Sequence, residues 1–152
     1  MERLYLDTSV FGGYFDVEFE FWTKLLFDKI KEGKYIILYS QVNELELELA
    51  PERVKNLISR VPKDSLEFIL NSAEAVNLAK LYLSENVVGH TSRTDCNHIA
   101  LATLTRADIL VSWNFKHIVN VNRIRGYNAV NAKLGHKSLE IRTPREILEY
   151  ED

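Results

Sequence analysis

The chain contains few of the residues that form covalent or thiolate-based frameworks. It has one cysteine, Cys96, among 152 residues. A single cysteine cannot form an intramolecular disulfide or a thiolate zinc site, and we interpret Cys96 as a packing residue. Only three prolines interrupt the chain, and neither an internal repeat nor a low-complexity linker is visible. Length and composition therefore predict a single domain, residues 1–152, around one hydrophobic core.

Long apolar runs are also missing from the sequence. No stretch approaches the roughly 18 consecutive apolar residues that cross a bilayer. Met1 leads directly into a strand-like segment, without the pattern of a signal peptide. We therefore expect no membrane association and a cytoplasmic location.

Neither sign of charge dominates, since the formal net charge is −3. The charges are nevertheless unevenly placed along the chain. Residues 93–145 carry nine Lys or Arg against three Asp or Glu, a balance of +6, which leaves −9 for the remaining residues. A basic C-terminal half suits a phosphate backbone, and it equally suits a solvated surface whose charges happen to segregate.

Continuous apolar runs alternate with helical patterns along the chain. Runs at 3–7, 35–39 and 109–112 predict buried strands, and shorter candidates lie at 66–70 and 139–141. Apolar spacing, caps and stop residues predict helices at 18–32, 40–50, 51–61, 72–84, 94–106 (capped by Thr94) and 125–134, with a short helix from Pro144. Residues 87–89 are ambiguous. This alternation is typical of an α/β fold with a central, mainly parallel sheet flanked by α-helices.

Three acidic residues are placed to meet at one edge of that sheet. Asp7 ends the first strand, Glu44 lies one helical turn beyond the second, and Asp95 opens the helix that leads into the strand at 109. Taken singly, each suits helix capping or an acidic helix face equally well. Clustered carboxylates repel one another unless a cation stands between them. Hard oxygen ligands without cysteine favour Mg²⁺ or Mn²⁺ over zinc.

Four short segments resemble the PIN domains, and within them the VapC-type toxin ribonucleases of toxin–antitoxin pairs. They are LDTSV at 6–10, SQVNE at 40–44, DCNHIA at 95–100 and LVSWNFKHI at 110–118, in the order and spacing of that family. The resemblance implies a PIN-like fold and a Mg²⁺- or Mn²⁺-dependent endoribonuclease that acts as a toxin on RNA. It also implies an antitoxin protein as partner and a homodimer.

The same resemblance assigns catalytic and metal-binding roles to particular positions. It implies that Asp7, Glu44 and Asp95 are the acids that hold the metal. The usual fourth acid falls at Asn114, whose amide adds no charge but can coordinate through its carbonyl oxygen or hold a ligated water. A weaker metal affinity is the expected consequence.

Several neighbours of these positions are candidates for supporting roles. Ser9 and Ser112 can hydrogen-bond Asp7 or a ligated water, and each can equally serve as a local cap. His98 shares the helix face of Asp95, so it either contacts the site or is a hydrogen-bonded interior residue. The expected phosphate contacts are Arg93, Lys116, Arg123 and Arg125.

Aromatic side chains near these segments have two possible roles. Trp113, Phe115 and His117 flank Asn114 and either stack on unpaired bases or pack in the core. The apolar run from Phe11 to Phe27 either packs internally or meets a second copy or an antitoxin.

Two other functional interpretations remain open at the level of sequence. A PIN-like module that binds RNA or protein but cuts poorly is compatible with the amide at Asn114. A phosphatase-type domain would use Asp7 as nucleophile and a second Asp two residues later, where Ser9 stands instead.

Overall fold

The computed structural model describes residues 1–85 and 93–149, and five parallel strands form the sheet in this part of the chain. The spatial order is β3-β2-β1-β4-β5, and each neighbouring pair is parallel. The strands are β1 (Arg3–Leu6), β2 (Ile36–Ser40), β3 (Leu66–Ile69), β4 (Ile109–Val111) and β5 (Glu140–Arg142). The predicted α/β class is confirmed.

Eight α-helices connect and flank these strands within the described residues. They are α1 (Thr8–Gly13), α2 (Glu20–Lys31), α3 (Gln41–Leu47), α4 (Glu52–Lys55), α5 (Ala73–Ser84), α6 (Arg93–Leu104), α7 (Val121–Lys133) and α8 (Pro144–Glu149). Two 3₁₀ turns, Asn56–Arg60 and Lys63–Ser65, lead into β3. None of the described helices has both the length and the hydropathy that a membrane crossing requires.

The central strands β1, β2 and β4 are buried on both faces, as their continuous apolar runs predicted. Successive residues of a strand point to opposite faces. Tyr5 accordingly packs with α5, α6 and α7, whereas Leu4 and Leu6 pack with α1 and α2. Cys96 is buried in the first cluster, which agrees with its interpretation as a packing residue.

Phe11, Phe19 and Phe27 of the N-terminal aromatic run pack internally, whereas Phe21 is 64% exposed. Phe11 and Phe27 are fully buried in the cluster under α1 and α2, and their ring centroids are 6.1 Å apart. Phe19 is half-buried and stacks on Trp113. These contacts favour the first of the two roles that the sequence left open for this run.

Some element boundaries differ from the predicted ones. Helix α7 begins at Val121, earlier than the predicted residue 125, because the Asn120 side chain caps it by accepting from two backbone amides. Helix α6 begins at Arg93, so Thr94 lies inside it instead of capping it. The helix predicted at 51–61 changes to a 3₁₀ turn at Asn56. The ambiguous residues 87–89 lie outside the described residues.

The strand order reverses between β1 and β4. The chain passes from β1 to β2 and β3 on one side of the sheet, then crosses to place β4 and β5 on the other side. In open parallel sheets such a switch point leaves a crevice at the carboxyl ends of the two strands, where ligands bind. Asp7 follows β1 and Ser112 follows β4, so both lie at this crevice.

Candidate active site

The Asp7 carboxylate is nearly buried at the end of β1, with 4% of the residue exposed. The hydroxyl groups of Ser9 and Ser112 both donate to its Oδ2, at 2.7 Å and 2.8 Å. Its Oδ1 lies 3.7 Å from Nε2 of His98. Groups from α1 and from the loop after β4 therefore fix one carboxylate oxygen and leave the other facing the interior of the site.

Glu46, on α3, supplies the second carboxylate of the cluster. Its Oε1 accepts from Thr8 Oγ1 at 2.7 Å and lies 2.5 Å from Nε2 of His98. The same imidazole nitrogen faces Asp7, so His98 stands between the two carboxylates.

A largely buried series of hydrogen bonds holds the Glu46 carboxylate in place. We call it the polar ring, and its members are His98, Tyr5, Ser40, Asn43 and Thr8. The Tyr5 hydroxyl lies 2.6 Å from His98 Nδ1 and 2.7 Å from Ser40 Oγ. Ser40 and Asn43 form the capping box that begins α3. Asn43 Nδ2 donates to Thr8 Oγ1 at 3.0 Å. Because Thr8 bonds the same carboxylate as His98, the series closes on itself and ties β1, β2, α3 and α6 together.

Asp95 lies in the first turn of α6 and supplies the third carboxylate. Asn114 Nδ2 donates to its Oδ2 at 3.2 Å, while Asn114 Oδ1 accepts from the backbone N–H of His117 at 3.0 Å. Ser112 Oγ accepts from the backbone N–H of Asn114 at 2.9 Å. Asn114 therefore presents its NH₂ group to Asp95, and its carbonyl oxygen is hydrogen-bonded within the loop after β4.

These groups lie close enough to shift one another's pKa values. Burial and then the charge of Asp7 raise the pKa of Asp95 to about 6, and the charge of Glu46 adds to the effect. Burial disfavours the protonated form of His98, but its hydrogen bond to Glu46 and the carboxylate charges prevail and raise its pKa. Burial likewise disfavours ionised Glu46, yet the bond with His98 outweighs it and lowers the pKa of Glu46.

Glu46, and not the predicted Glu44, joins this cluster. Both glutamates are exposed on α3, but the charge of Glu44 acts on Tyr39, whereas Glu46 contacts Thr8 and His98. Successive helix residues are rotated by about 100°, so residues two apart face nearly opposite sides. The helical spacing does not separate the two, because Glu46 lies one turn after the buried Val42 and Glu44 lies one turn before the buried Leu47.

The cations expected to contact RNA lie on elements that border the site. Lys116 and Arg123 are near His117, since burial and then the charges of both lower the pKa of that imidazole. Arg93 is exposed in the first turn of α6, and Arg125 is exposed on α7.

The aromatic residues beside Asn114 differ in their exposure. Trp113 is buried and His117 is half-buried, whereas 51% of Phe115 is exposed. Packing accounts for Trp113, while Phe115 is open to solvent.

The donor chemistry of the cluster fits a hard divalent cation. Asp7, Glu46 and Asp95 offer carboxylate oxygens, which Mg²⁺ and Mn²⁺ prefer. Within residues 1–85 and 93–149, however, no group of three or more His, Cys, Asp or Glu side chains is arranged to hold an ion. Hydrogen bonds to protein groups occupy oxygens of all three carboxylates. The site therefore offers suitable ligand oxygens, and in this arrangement hydroxyl, imidazole and amide groups of the protein bond to some of them.

Chains of two crystal structures of VapBC bound to DNA share this fold. VapBC2 from Rickettsia felis, bound to a promoter DNA fragment, gives a TM-score of 0.55 at 15% identity, over 93% of this chain and 98% of that chain. DNA-bound VapBC from Salmonella typhimurium gives 0.55 at 18% identity, over 95% and 99%. No protein-family model and no curated protein matches the sequence. The PIN-like fold that the sequence segments implied is confirmed.

Proposed function

We propose that this chain is a divalent-metal-dependent endoribonuclease that hydrolyses RNA phosphodiester bonds as the toxin of a toxin–antitoxin pair. The observation that carries the proposal is the convergence of Asp7, Glu46 and Asp95 at the switch point of a PIN-like sheet. A carboxyl group such as Asp95, whose pKa is raised by burial and by neighbouring carboxylates in a crevice, is typical of functional sites. The fold shared with chains of VapBC structures supports the toxin assignment.

Asp7, Glu46 and Asp95 would hold Mg²⁺ or Mn²⁺. When bound, such an ion lowers the pKa of a ligated water and stabilises negative charge on the phosphate oxygens. Ser9 and Ser112 pre-orient Asp7 by occupying its Oδ2, and its Oδ1 then faces the site. The polar ring orients the Glu46 carboxylate in the same way from the other side.

The RNA backbone would contact the cations that border the site. Arg93, Lys116, Arg123 and Arg125 are the proposed phosphate contacts, because they lie on α6, the loop after β4 and α7. Lys and Arg supply the sequence-independent part of nucleic-acid affinity. This arrangement would bring a phosphodiester close to the carboxylates.

We propose partners on the basis of the fold. The matching structures are of VapBC bound to DNA, which supports an antitoxin as partner of this chain. A homodimer, a single domain over residues 1–152 and a cytoplasmic location complete the proposal.

A second candidate function is an RNA- or protein-binding module with little activity. The amide of Asn114 favours it, because this side chain donates to Asp95 where an acid would add charge for a cation. The substitution Asn114→Asp separates the candidates. Raised cleavage in this variant indicates a weakened enzyme, whereas unchanged binding without cleavage supports the binding module.

The experiment that tests the nuclease is cleavage of structured and single-stranded RNAs by purified protein with Mg²⁺, Mn²⁺ or EDTA. Asp7→Asn and Asp95→Asn are compared with Asp28→Asn, an exposed position on α2. We expect metal-dependent cutting by the wild type and the control, and its loss in the two site variants. Cutting that persists in EDTA or in both site variants would refute the proposal.

A further inference from the structure

A cavity of about 460 Å³ lies between the start of α2, the loop after β4 and the start of α8. Four aromatic rings contribute to its wall, those of Phe19, Trp22, Trp113 and Phe115. Sites for small molecules usually have volumes of about 300 to 1,000 Å³ and combine apolar walls with a few polar groups. The cavity thus has the size and wall of a site for a compact, flat group.

The aromatic wall has a fixed base and an exposed edge. Phe19 stacks on Trp113, with ring centroids 4.5 Å apart and planes 21° apart. The Trp113 Nε1–H donates to Thr23 Oγ1 at 2.9 Å, which anchors the indole. Phe115 is tilted against Trp113 at 6.2 Å and is 51% exposed. A planar ligand can therefore reach Phe115 from solvent without displacing the buried indole.

Polar groups at the cavity can recognise the edge of a heterocycle. The guanidinium carbon of Arg145 lies 5.7 Å from the centroid of the Trp22 ring. Glu18 and Glu146 also line the cavity and carry carboxylate acceptors. Donors and acceptors around aromatic faces are the means by which proteins read unpaired RNA bases.

The cavity is connected to the carboxylate cluster through the loop after β4. The Trp113 backbone N–H donates to Ser9 Oγ at 3.0 Å, and Ser9 donates to Asp7. The next residue, Asn114, donates to Asp95. The base of the aromatic wall and the carboxylates are thus held by one short segment.

We infer that this cavity binds an unpaired base of the RNA substrate, beside the phosphodiester that the carboxylates would cleave. The inference rests on the proposed nuclease function and adds to it a binding site for the base. Single-stranded RNA is the implied substrate class at this position, because a paired base cannot leave its stack to enter the cavity without a cost.

Intrinsic fluorescence gives a direct measurement of binding to the cavity. The chain has two tryptophans, Trp22 and Trp113, and both line it. Purified protein is titrated in EDTA with each of the nucleoside monophosphates and with short single-stranded oligoribonucleotides. An abasic oligonucleotide of equal length serves as the control ligand. We expect fluorescence quenching by the ligands that carry bases and little change with the abasic one.

A matched pair of variants tests the wall. Phe115→Ala removes the exposed ring of the cavity, whereas Phe68→Ala removes a ring of similar exposure from β3 at the edge of the sheet. Base stacking contributes about 1 to 3 kcal/mol, so Phe115→Ala should weaken oligonucleotide binding by roughly 5-fold to 150-fold. Phe68→Ala should bind as the wild type does, and Phe115→Trp should restore the affinity.

The outcomes separate this inference from the proposed function. Equal binding by Phe115→Ala and Phe68→Ala, or equal quenching by the abasic oligonucleotide, overturns the base site even if RNA is cut. Quenching by nucleotides that depends on Phe115, in a protein that cuts no RNA under any metal, supports a base site and refutes the nuclease. A wild type that neither binds nor is quenched by any of these ligands overturns the inference.

Discussion

The ionisation of Asp95 couples the candidate site to the stability of the fold. Its pKa is raised from 3.8 to about 6 in the folded chain by burial and by the neighbouring carboxylates. The folded protein therefore binds this proton more tightly than the unfolded chain does. The resulting stability is fully present below about pH 4 and is lost as the pH rises through about 6.

The first prediction is that Asp95→Asn stabilises the metal-free protein above this pH range. Removing the buried charge should raise the free energy of unfolding at neutral pH by about 1 kcal/mol, once partial exposure is allowed for. The gain should shrink as the pH falls from about 6 toward 3.8, and it should vanish below that value, where Asp95 becomes protonated in both states. Urea denaturation in EDTA at several pH values measures it.

Addition of Mg²⁺ or Mn²⁺ extends the same measurement to the metal. Both ions should raise the melting temperature of the wild type and have much less effect on Asp95→Asn, because a ligand stabilises only the state that binds it. Asp28→Asn should respond as the wild type does. If Asp95→Asn raised the free energy of unfolding in EDTA by the same amount at every pH, the assigned origin of the Asp95 pKa shift would be contradicted.

The second prediction concerns the two glutamates of α3. Glu46→Gln should lower RNA cleavage by roughly 10-fold to 100-fold, because Glu46 contacts His98 and Thr8 beside Asp7. Glu44→Gln should change the rate by less than about twofold, as exposed substitutions usually do. Initial cleavage rates of the two variants under identical metal conditions show which glutamate is the functional acid. The reverse ranking would restore Glu44 as the functional acid.

At the scale of elements, the contact between α1 and the loop after β4 sets the position of Asp7. Gly13, the last residue of α1, lies against the Trp113 indole. A Cβ added at Gly13 would lie 2.7 Å from Cδ1 and 2.8 Å from Nε1 of that ring. A Cβ at Gly12 would meet no atom within 4 Å. The two adjacent glycines therefore differ in what a methyl group would contact.

The third prediction uses this pair. Gly13→Ala should destabilise the protein by about 1 to 3 kcal/mol, because the buried indole is anchored to Thr23 and cannot move freely. Gly12→Ala should be neutral or should stabilise by up to about 1 kcal/mol through helix propensity. Chemical denaturation gives both values. Equal stabilities would mean that α1 and the indole separate more easily than their packing suggests.

The limits of sequence reasoning are clearest in these elements. The strands at 3–7 and 35–39 were predictable because a strand buried on both faces is a continuous apolar run. The start of α7 was missed because its signal is one capping side chain, Asn120, ahead of a weakly periodic segment. Glu44 was chosen over Glu46 because the order of motifs along the chain does not fix the rotation of a helix. That rotation is set by the docking of α3 through Asn43 and Val42.

At the scale of the whole molecule, the distribution of charge determines how RNA would approach. The segment 93–145 has a balance of +6, whereas the rest of the chain carries −9. Helix α2 ends just before β2 begins, so its C-terminal turn lies at the amino edge of the sheet, away from the carboxylates. A polyanion should therefore be attracted to the side that carries α6, α7 and the loop after β4.

The last prediction tests this approach through salt dependence. Binding of single-stranded RNA in EDTA should weaken with salt, with a slope of about −0.7 in log K against log salt for each phosphate contact. Lys116→Gln, in the loop after β4, should weaken binding and make the slope shallower by about 0.7. Lys31→Gln, at the exposed end of α2, removes the same charge from the opposite edge and should leave the slope unchanged. Because both substitutions alter the net charge equally, a difference between their salt slopes shows at which edge of the sheet the RNA lies. Identical slopes for the two variants would mean that RNA senses only the total charge of the molecule.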